Sequence, residues 1–297
     1  MSTCHHIFTH NDLDGAGSVL VYMWNKPKED SFQYTPISNL EISKLKKEIS
    51  NTHNPSNISI LDLSLREEFL PELDKKYITI IDHHKSSEEF IEKFKNSKII
   101  YKEYTSNTLL MYKIYTQTNN LKLTEAQKIL VALINDFDCY KLERPESYDL
   151  NVLFWSEYQN RFSDFIKDYY EGFKPFTDKQ KRAISYIKKE AAREAEKIKI
   201  YYGNLNIGSK IKNVCACMVD KIVPQIIEVL AQKYKPDIFF FINPKNEKIS
   251  IRQYTQTDPI DCGKFAKKIC EGGGHANAAA GKLTPLFMEI TKNLKPI

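Results

Sequence analysis

The sequence has no apolar run approaching the ~18 residues that a membrane-spanning helix requires, so that architecture is not expected. The opening residues, Met1-Ser2-Thr3-Cys4-His5-His6, lack a basic stretch followed by an apolar one, so no secretory signal is expected there. The six cysteines form no C-x-x-C pair and no framework spacing. That argues against a disulfide scaffold and for free thiols in a reducing, cytoplasmic compartment. An excess of charge of either sign is nearly absent: 43 Lys and Arg against 38 Asp and Glu leave +5. Such an excess admits an anionic substrate but is too small for a protein that wraps duplex nucleic acid. There is also no internal repeat and no low-complexity tract. What remains is an ordinary globular composition, 42% hydrophobic and 27% charged. At ~100–200 residues per domain, 297 residues suggest two domains or one large one.

In the first half, short apolar runs alternate with helical stretches. Ile7-Phe8-Thr9 reads as a strand ending in the polar run His10-Asn11-Asp12-Leu13-Asp14-Gly15, with a helix over 16–24 after it. Ile58–Leu61 ends at Asp62, and the strand over 77–81 ends at Asp82-His83-His84. Lys98–Tyr101 is a fourth strand, and Ser106 is placed to cap a helix over 107–115. Residues 125–134 read as a helix ending at Asn135-Asp136-Phe137-Asp138. This alternation predicts an α/β fold, a parallel sheet flanked by helices, with ligands at the carboxyl ends of the strands. Residues 141–178, rich in aromatic and charged side chains, are read as helical, and 179–200 as a solvated helical connector. A smaller α/β unit follows, with strands over 213–219, 237–242 and Lys248–Gln253 and helices over 223–234 and 261–271. The expected division is a domain over 1–175, a connector over 176–200 and a second domain over 201–297.

Four acidic or histidine clusters fall at the ends of these elements: His10/Asp12/Asp14, Asp62, Asp82/His83/His84 and Asp136/Asp138. Carboxylate with imidazole suits Mn2+ and related divalent ions, and the lack of thiolates argues against a structural zinc site. His10, Asp12 and Asp14 alternate, so in extended backbone they would project to one side and converge on one point. Taken singly, Asp62 and Asp138 read as helix caps and His83 as a core histidine. Taken together, where a parallel sheet presents its ligands, they read as a metal site. Their number suits two ions ~3.5–4 Å apart that share a carboxylate. In the second unit, Gly272-Gly273-Gly274-His275 follows a helix. Glycines let backbone N–H groups approach an anion and His275 can donate to it, although alone the run reads as a flexible helix stop. Ser250-Ile251-Arg252 puts an Arg on a strand, suited either to forked phosphate recognition or to a surface ion pair.

These motifs resemble those of the DHH phosphoesterase superfamily. Asp82-His83-His84 matches its signature triplet, the run from His10 to Gly15 its first motif, Asp62 its second and Asp138 its fourth. Ser250-Ile251-Arg252 and the stretch from Gly272 to Ala279 resemble the DHH-associated C-terminal domain. The contiguous His-Asn-Asp-Leu-Asp-Gly form is similar to the branch of RecJ-like exonucleases and NrnB-type oligoribonucleases. The resemblance runs from His6 to Gly281 and is weakest over 140–200. It implies that His10, Asp12 and Asp62 hold one metal, and that Asp14, Asp62, His83 and Asp138 hold another, with Asp62 bridging. It further implies that His84 faces the substrate phosphate and that Arg252, Gly273, Gly274 and His275 clamp it, so that catalysis falls to His84, Asp62, Arg252 and His275. The fourth motif departs from the usual Asp-Thr, reading Asp138-Cys139, which leaves Asp136 as an alternative ligand. The implied cofactor is a pair of Mn2+ ions, with Mg2+ or Co2+ as substitutes. The implied activity is hydrolysis of short RNA or DNA oligonucleotides by a compact enzyme, and an oligomer is allowed. The alternatives are a phosphodiesterase for cyclic mono- or dinucleotides, a phosphoadenosine-phosphate phosphatase, and an idle nucleotide-binding module.

Overall fold

A computed structural model describes residues 3–38, 42–50, 57–65, 67–156, 158, 160–220, 223–254, 258–274 and 276–296. The chain separates into two compact units, Met1–Gln180 and Lys181–Ile297.

The first unit is built on β1 (Cys4–His10), α1 (Leu13–Trp24), β2 (Ser31–Ile37), α2 (Ile42–Ser50), β3 (Ile58–Leu61), α3 (Leu70–Leu73), β4 (Ile78–Asp82) and β5 (Lys98–Tyr101). These five strands form an all-parallel sheet in the order β2-β1-β3-β4-β5. Successive residues of a strand face opposite sides, and both sides are covered. Ile7, Leu61 and Ile81 pack beneath α1, α4 (Asn107–Asn119) and α5 (Glu125–Asp138), while Phe8, Ile60 and Ile80 pack with Leu45, Ile49 and Leu73. That two-sided burial is why these strands read as continuous apolar runs. From β1 the chain first adds β2 on one side and then returns to add β3 on the other. The order therefore reverses between β1 and β3, opening a crevice at their carboxyl ends.

β2 escapes the sequence reading because it lies at the sheet's edge, half-exposed and interrupted by Pro36, so it has no apolar run. α5 extends four residues past the expected end, through Asp138, behind a Thr124–Gln127 capping box. Residues 141–178 contain α6 (Pro145–Ser156) and α7 (Arg161–Tyr169), whose Phe154, Phe162, Phe165 and Tyr169 join the layer under α1.

α8 (Asp178–Glu196) is followed by β6 (Ile200–Ile207), β7 (Lys210–Met218), α9 (Pro224–Tyr234), β8 (Ile238–Asn243), β9 (Lys248–Gln253), α10 (Cys262–Ile269), β10 (Gly273–Gly274), β11 (Ala278–Lys282), α11 (Pro285–Thr291) and β12 (Lys295–Pro296). The seven strands of this second unit form one sheet, β10-β11-β9-β8-β7-β6-β12, in which β7 and β8 pair parallel and every other pair is antiparallel. β8 is buried along its whole length because its faces serve different layers. Phe240 packs with Phe265 and Phe287, whereas Phe239 and Phe241 pack with Ile227 and Leu230. Ala195, near the end of α8, joins that second layer, so this end of the helix is not the solvated rod expected from its charges. No helix among the described residues is long and apolar enough to cross a membrane, and none of the six cysteines forms a disulfide.

Candidate metal centre

The crevice after β1 is lined by the first motif. His10 ends β1 and its Nδ1 donates to Asp12 Oδ2 at 2.6 Å, while Asp12 Oδ1 accepts from the Gly15 N–H at 2.9 Å and caps α1. A Cβ on Gly15 would lie 2.0 Å from the His10 carbonyl oxygen, so only glycine lets this turn close. Asp14 does not project with His10 and Asp12 as the alternation suggested, because the backbone is already helical from Leu13. Its carboxylate instead accepts from the N–H groups of Asn107 and Thr108 at 2.7 and 2.9 Å. Those amides open α4, so the positive end of that helix holds a buried negative charge.

Asp62 follows β3 with a positive φ of 57°, and its N–H donates to the Ile81 carbonyl at 3.0 Å. A non-glycine residue in this left-handed region is held there by its surroundings. Its buried carboxylate lies 3.2 Å from His83 Nε2, and Asp14 lies 3.7 Å from the same nitrogen. His83 Nδ1 donates to the Tyr104 carbonyl at 3.0 Å, which fixes the ring with Nε2 toward the carboxylates. Asp82, fully buried, plays a different part. Its two oxygens accept from His84 Nδ1 at 2.7 Å and from the Ser87 hydroxyl. It therefore orients His84, whose ring keeps about a quarter of its surface in solvent.

The fourth motif left two carboxylates open, and the structure separates them. Asp136 accepts from the N–H groups of Glu143 and Arg144, both at 3.1 Å, and from the Ser147 hydroxyl at 2.6 Å. It fastens the turn into α6. Asp138, two residues on and across the helix, brings a carboxylate oxygen beside Asp14 and His83, and its Oδ2 is buried with no partner among the described residues.

Among the described residues, three groups of potential ligand atoms result: His10, Asp12 and Asp62; Asp62, His83 and His84; Asp14, His83 and Asp138. In each, the atoms lie within 4.8 Å of one another, and Asp62 and His83 are each shared by two groups. The electrostatics are those of a site short of positive charge. Burial, then the neighbouring Asp14 carboxylate, pushes both Asp62 and Asp138 well above the usual carboxylate range. Burial disfavours a charged His10, yet the Asp12, Asp62 and Asp14 carboxylates outweigh it and raise its pKa to about 9. Protons thus stand where cations would serve. An orphaned buried carboxylate oxygen, a thiolate-free donor set and a shared carboxylate all suit divalent metal ions.

In the second unit, Arg252 lies on β9 opposite Ala278 of β11, and its Nη1 donates to the Ile251 carbonyl at 3.0 Å. Gly273 and Gly274 are exposed and pair with Ala280 and Ala279, as a strand rather than the flexible stop the run alone suggested. Gly274 has a φ of 146°, and a Cβ there would lie 2.5 Å from the Ala278 carbonyl oxygen. His275 lies outside the described residues.

Comparison with known proteins supplies the remaining observation. Residues 212–295 match the family model of the DHHA1 domain. Oligoribonuclease NrnB of Bacillus subtilis (strain 168) is 23% identical over 96% of this chain and 74% of its own length. The chain resembles the DHH superfamily, through this DHHA1 match and along most of its length. RecJ from Thermus thermophilus in complex with Mn2+ shares the fold, with a TM-score of 0.53 at 9% identity, over 97% of this chain and 51% of that one. Exonuclease RecJ bound to manganese gives 0.51 at 9% identity, over 97% and 88%. Tyr104 holds His83 directly, and Ser87 holds Asp82, which in turn orients His84; neither belongs to any of the motifs. One acts through its backbone carbonyl and the other through a single hydroxyl, so neither leaves a pattern in the sequence.

Proposed function

We propose that this protein is a two-metal phosphodiesterase that hydrolyses short RNA or DNA oligonucleotides in the cytoplasm, with Mn2+ as the preferred ion and Mg2+ or Co2+ as substitutes. The observation that carries this reading is the sharing of Asp62 and His83 between overlapping ligand groups at the carboxyl ends of β1, β3 and β4. His10, Asp12 and Asp62 would hold one ion, and Asp14, Asp62, His83 and Asp138 the other. When bound, a pair of divalent ions lowers the pKa of water and offsets charge on a phosphoryl group. His84, aimed by Asp82, is the imidazole that faces the substrate phosphate and hydrogen-bonds its non-bridging oxygen. In the second unit, Arg252, the Gly273 and Gly274 backbone and His275 are donors suited to a substrate phosphate, with Arg252 as the forked one. Oligonucleotides are favoured as substrates because the relative spanning nearly this whole chain is named an oligoribonuclease. Six cysteines outside any disulfide suit a reducing compartment.

The test is a substrate panel after chelation and metal restoration: short RNA, short DNA, cyclic mono- and dinucleotides, and phosphoadenosine phosphate. Chelation should abolish turnover, Mn2+ should restore it best, and the short oligonucleotides should be cleaved fastest. Full activity in chelator by a metal-free sample would end the two-metal reading, and preference for a cyclic nucleotide would reassign the substrate. Arg252→Ala should lower kcat/KM on a dinucleotide by at least ~2 kcal/mol, the scale of a forked, partly desolvated contact, through both kcat and KM. Metal content should stay constant, since a guanidinium does not ligate cations. An unchanged kcat/KM would reduce Arg252 to a structural residue of β9.

A further inference from the structure

Arg161 opens α7 and meets the loop that carries His10 and Asp12. Its Nη2 donates to the Asn11 carbonyl at 3.1 Å. Its guanidinium carbon lies 3.8 Å from the centroid of the Trp155 ring and 5.2 Å from that of Phe154. The position is rigidly set, because Phe162, Phe165, Ile166 and Tyr169 bury the inner face of α7, and Phe162 packs on Tyr34 and Phe154. Trp155, in contrast, is 43% exposed, so the stacked pair borders solvent.

A half-buried guanidinium ordinarily has a carboxylate beside it. Among the described residues none lies within ion-pair distance of Arg161, and its Nε is buried without an acceptor. The carboxylate whose field it feels is Asp12, which is already engaged by His10 and by the Gly15 N–H. An Arg held over an indole face keeps its planar fork oriented at little further entropic cost, the arrangement suited to phosphate. Arg161 meets the loop at a backbone carbonyl, not at the side chains of His10, Asp12 or Asp62, so it lies beside the ligand cluster rather than within it.

We propose that Arg161, stacked on Trp155, binds a second phosphate of the substrate, next to the one that is hydrolysed. This rests on the phosphodiesterase reading and deepens it. The site would favour oligonucleotides bearing a terminal phosphate or a further phosphodiester over a bare dinucleotide.

The test compares wild type with Arg161→Gln on three dinucleotides, carrying a 5′-phosphate, a 3′-phosphate or neither. Turnover with Mn2+ is read beside tryptophan fluorescence titrations of the same compounds in chelator. Trp155 is one of only two tryptophans, so Trp155→Phe identifies its share of the signal. Wild type should prefer one phosphorylated form, and Arg161→Gln should lose at least about tenfold more kcat/KM on that form than on the bare dinucleotide. Titration should show the same selective loss, with quenching that disappears in Trp155→Phe. Equal losses on all three substrates would overturn the proposal and leave Arg161 as a support for the Asn11 loop, and so would unchanged kinetics. If wild type cleaved none of the three, the oligonucleotide reading would fail. The titrations would then decide Arg161 separately: binding that ignores the terminal phosphate, or no binding, rejects it.

Discussion

Asp62→Asn is expected to cut turnover by about 100-fold or more while the protein stays folded, exceeding the effect of losing a supporting partner of a metal ligand. Asn is the informative replacement because Asp62 has a φ of 57°, a conformation that Asn tolerates and Ala does not. Asp62 alone joins the His10–Asp12 group to His83 and His84, so neutralising it weakens both. Its stability effect should have the opposite sign. Burial, Asp14 and Asp12 raise the carboxyl above its usual range in the folded, metal-free protein. A raised folded-state pKa means the folded chain binds the proton more tightly than the unfolded one. Metal-free stability is therefore lost as pH climbs from the ordinary carboxylate range toward the raised value. Metal-free Asp62→Asn, lacking that group, should melt above metal-free wild type at neutral pH, with the gap closing in acid. Thermal scans in chelator at several pH values read this directly. Retention of more than about a tenth of wild-type kcat at saturating Mn2+ would show that Asp62 is not shared between two ions.

The second large effect is a contrast between two neighbouring aspartates of α5. Asp138→Asn should lower kcat by about 100-fold or more and reduce bound metal, with little change in urea denaturation, because its Oδ2 has no partner to lose. Asp136→Ala should do the reverse. It leaves two backbone N–H groups without their acceptor and the Ser147 hydroxyl with only the Arg144 carbonyl, at a cost of roughly 1–3 kcal/mol for a buried group left unsatisfied. Its metal content per folded molecule should stay at the wild-type level. An Asp136 variant that keeps its stability but loses metal would exchange the two roles.

The candidate ligands were legible because each interrupts an apolar run. Ile58–Leu61 and the β4 run are buried on both faces, so a following Asp or His stands out, and parallel topology puts those positions at one end of the sheet. β2 and β6 were not legible. β2 has an edge position and a proline, and β6 mixes Tyr, Gly and Asn, so neither shows a buried run. The expected convergence of His10, Asp12 and Asp14 on one point does not occur, because the turn into α1 sends Asp14 to the N-terminal end of α4.

The sequence by itself determined the α/β class, the order of the first motif, Asp62, the triplet and Asp138 along the chain, and the residue types able to hold cations. These follow from local periodicity and side-chain chemistry, which the linear chain carries. Tertiary structure alone gives Asp136 and Asp138 different surroundings, because both lie on one turn of α5 and only packing against α6 gives Asp136 its hydrogen bonds while Asp138 lies beside Asp14 and His83. It also decided that Asp82 orients His84 and that Tyr104 aims His83. Finally, it brought Arg161 to Asn11, 150 residues earlier in the chain. Such partners meet only when helices close over the sheet, and no spacing in the sequence encodes a contact made by packing between distant elements.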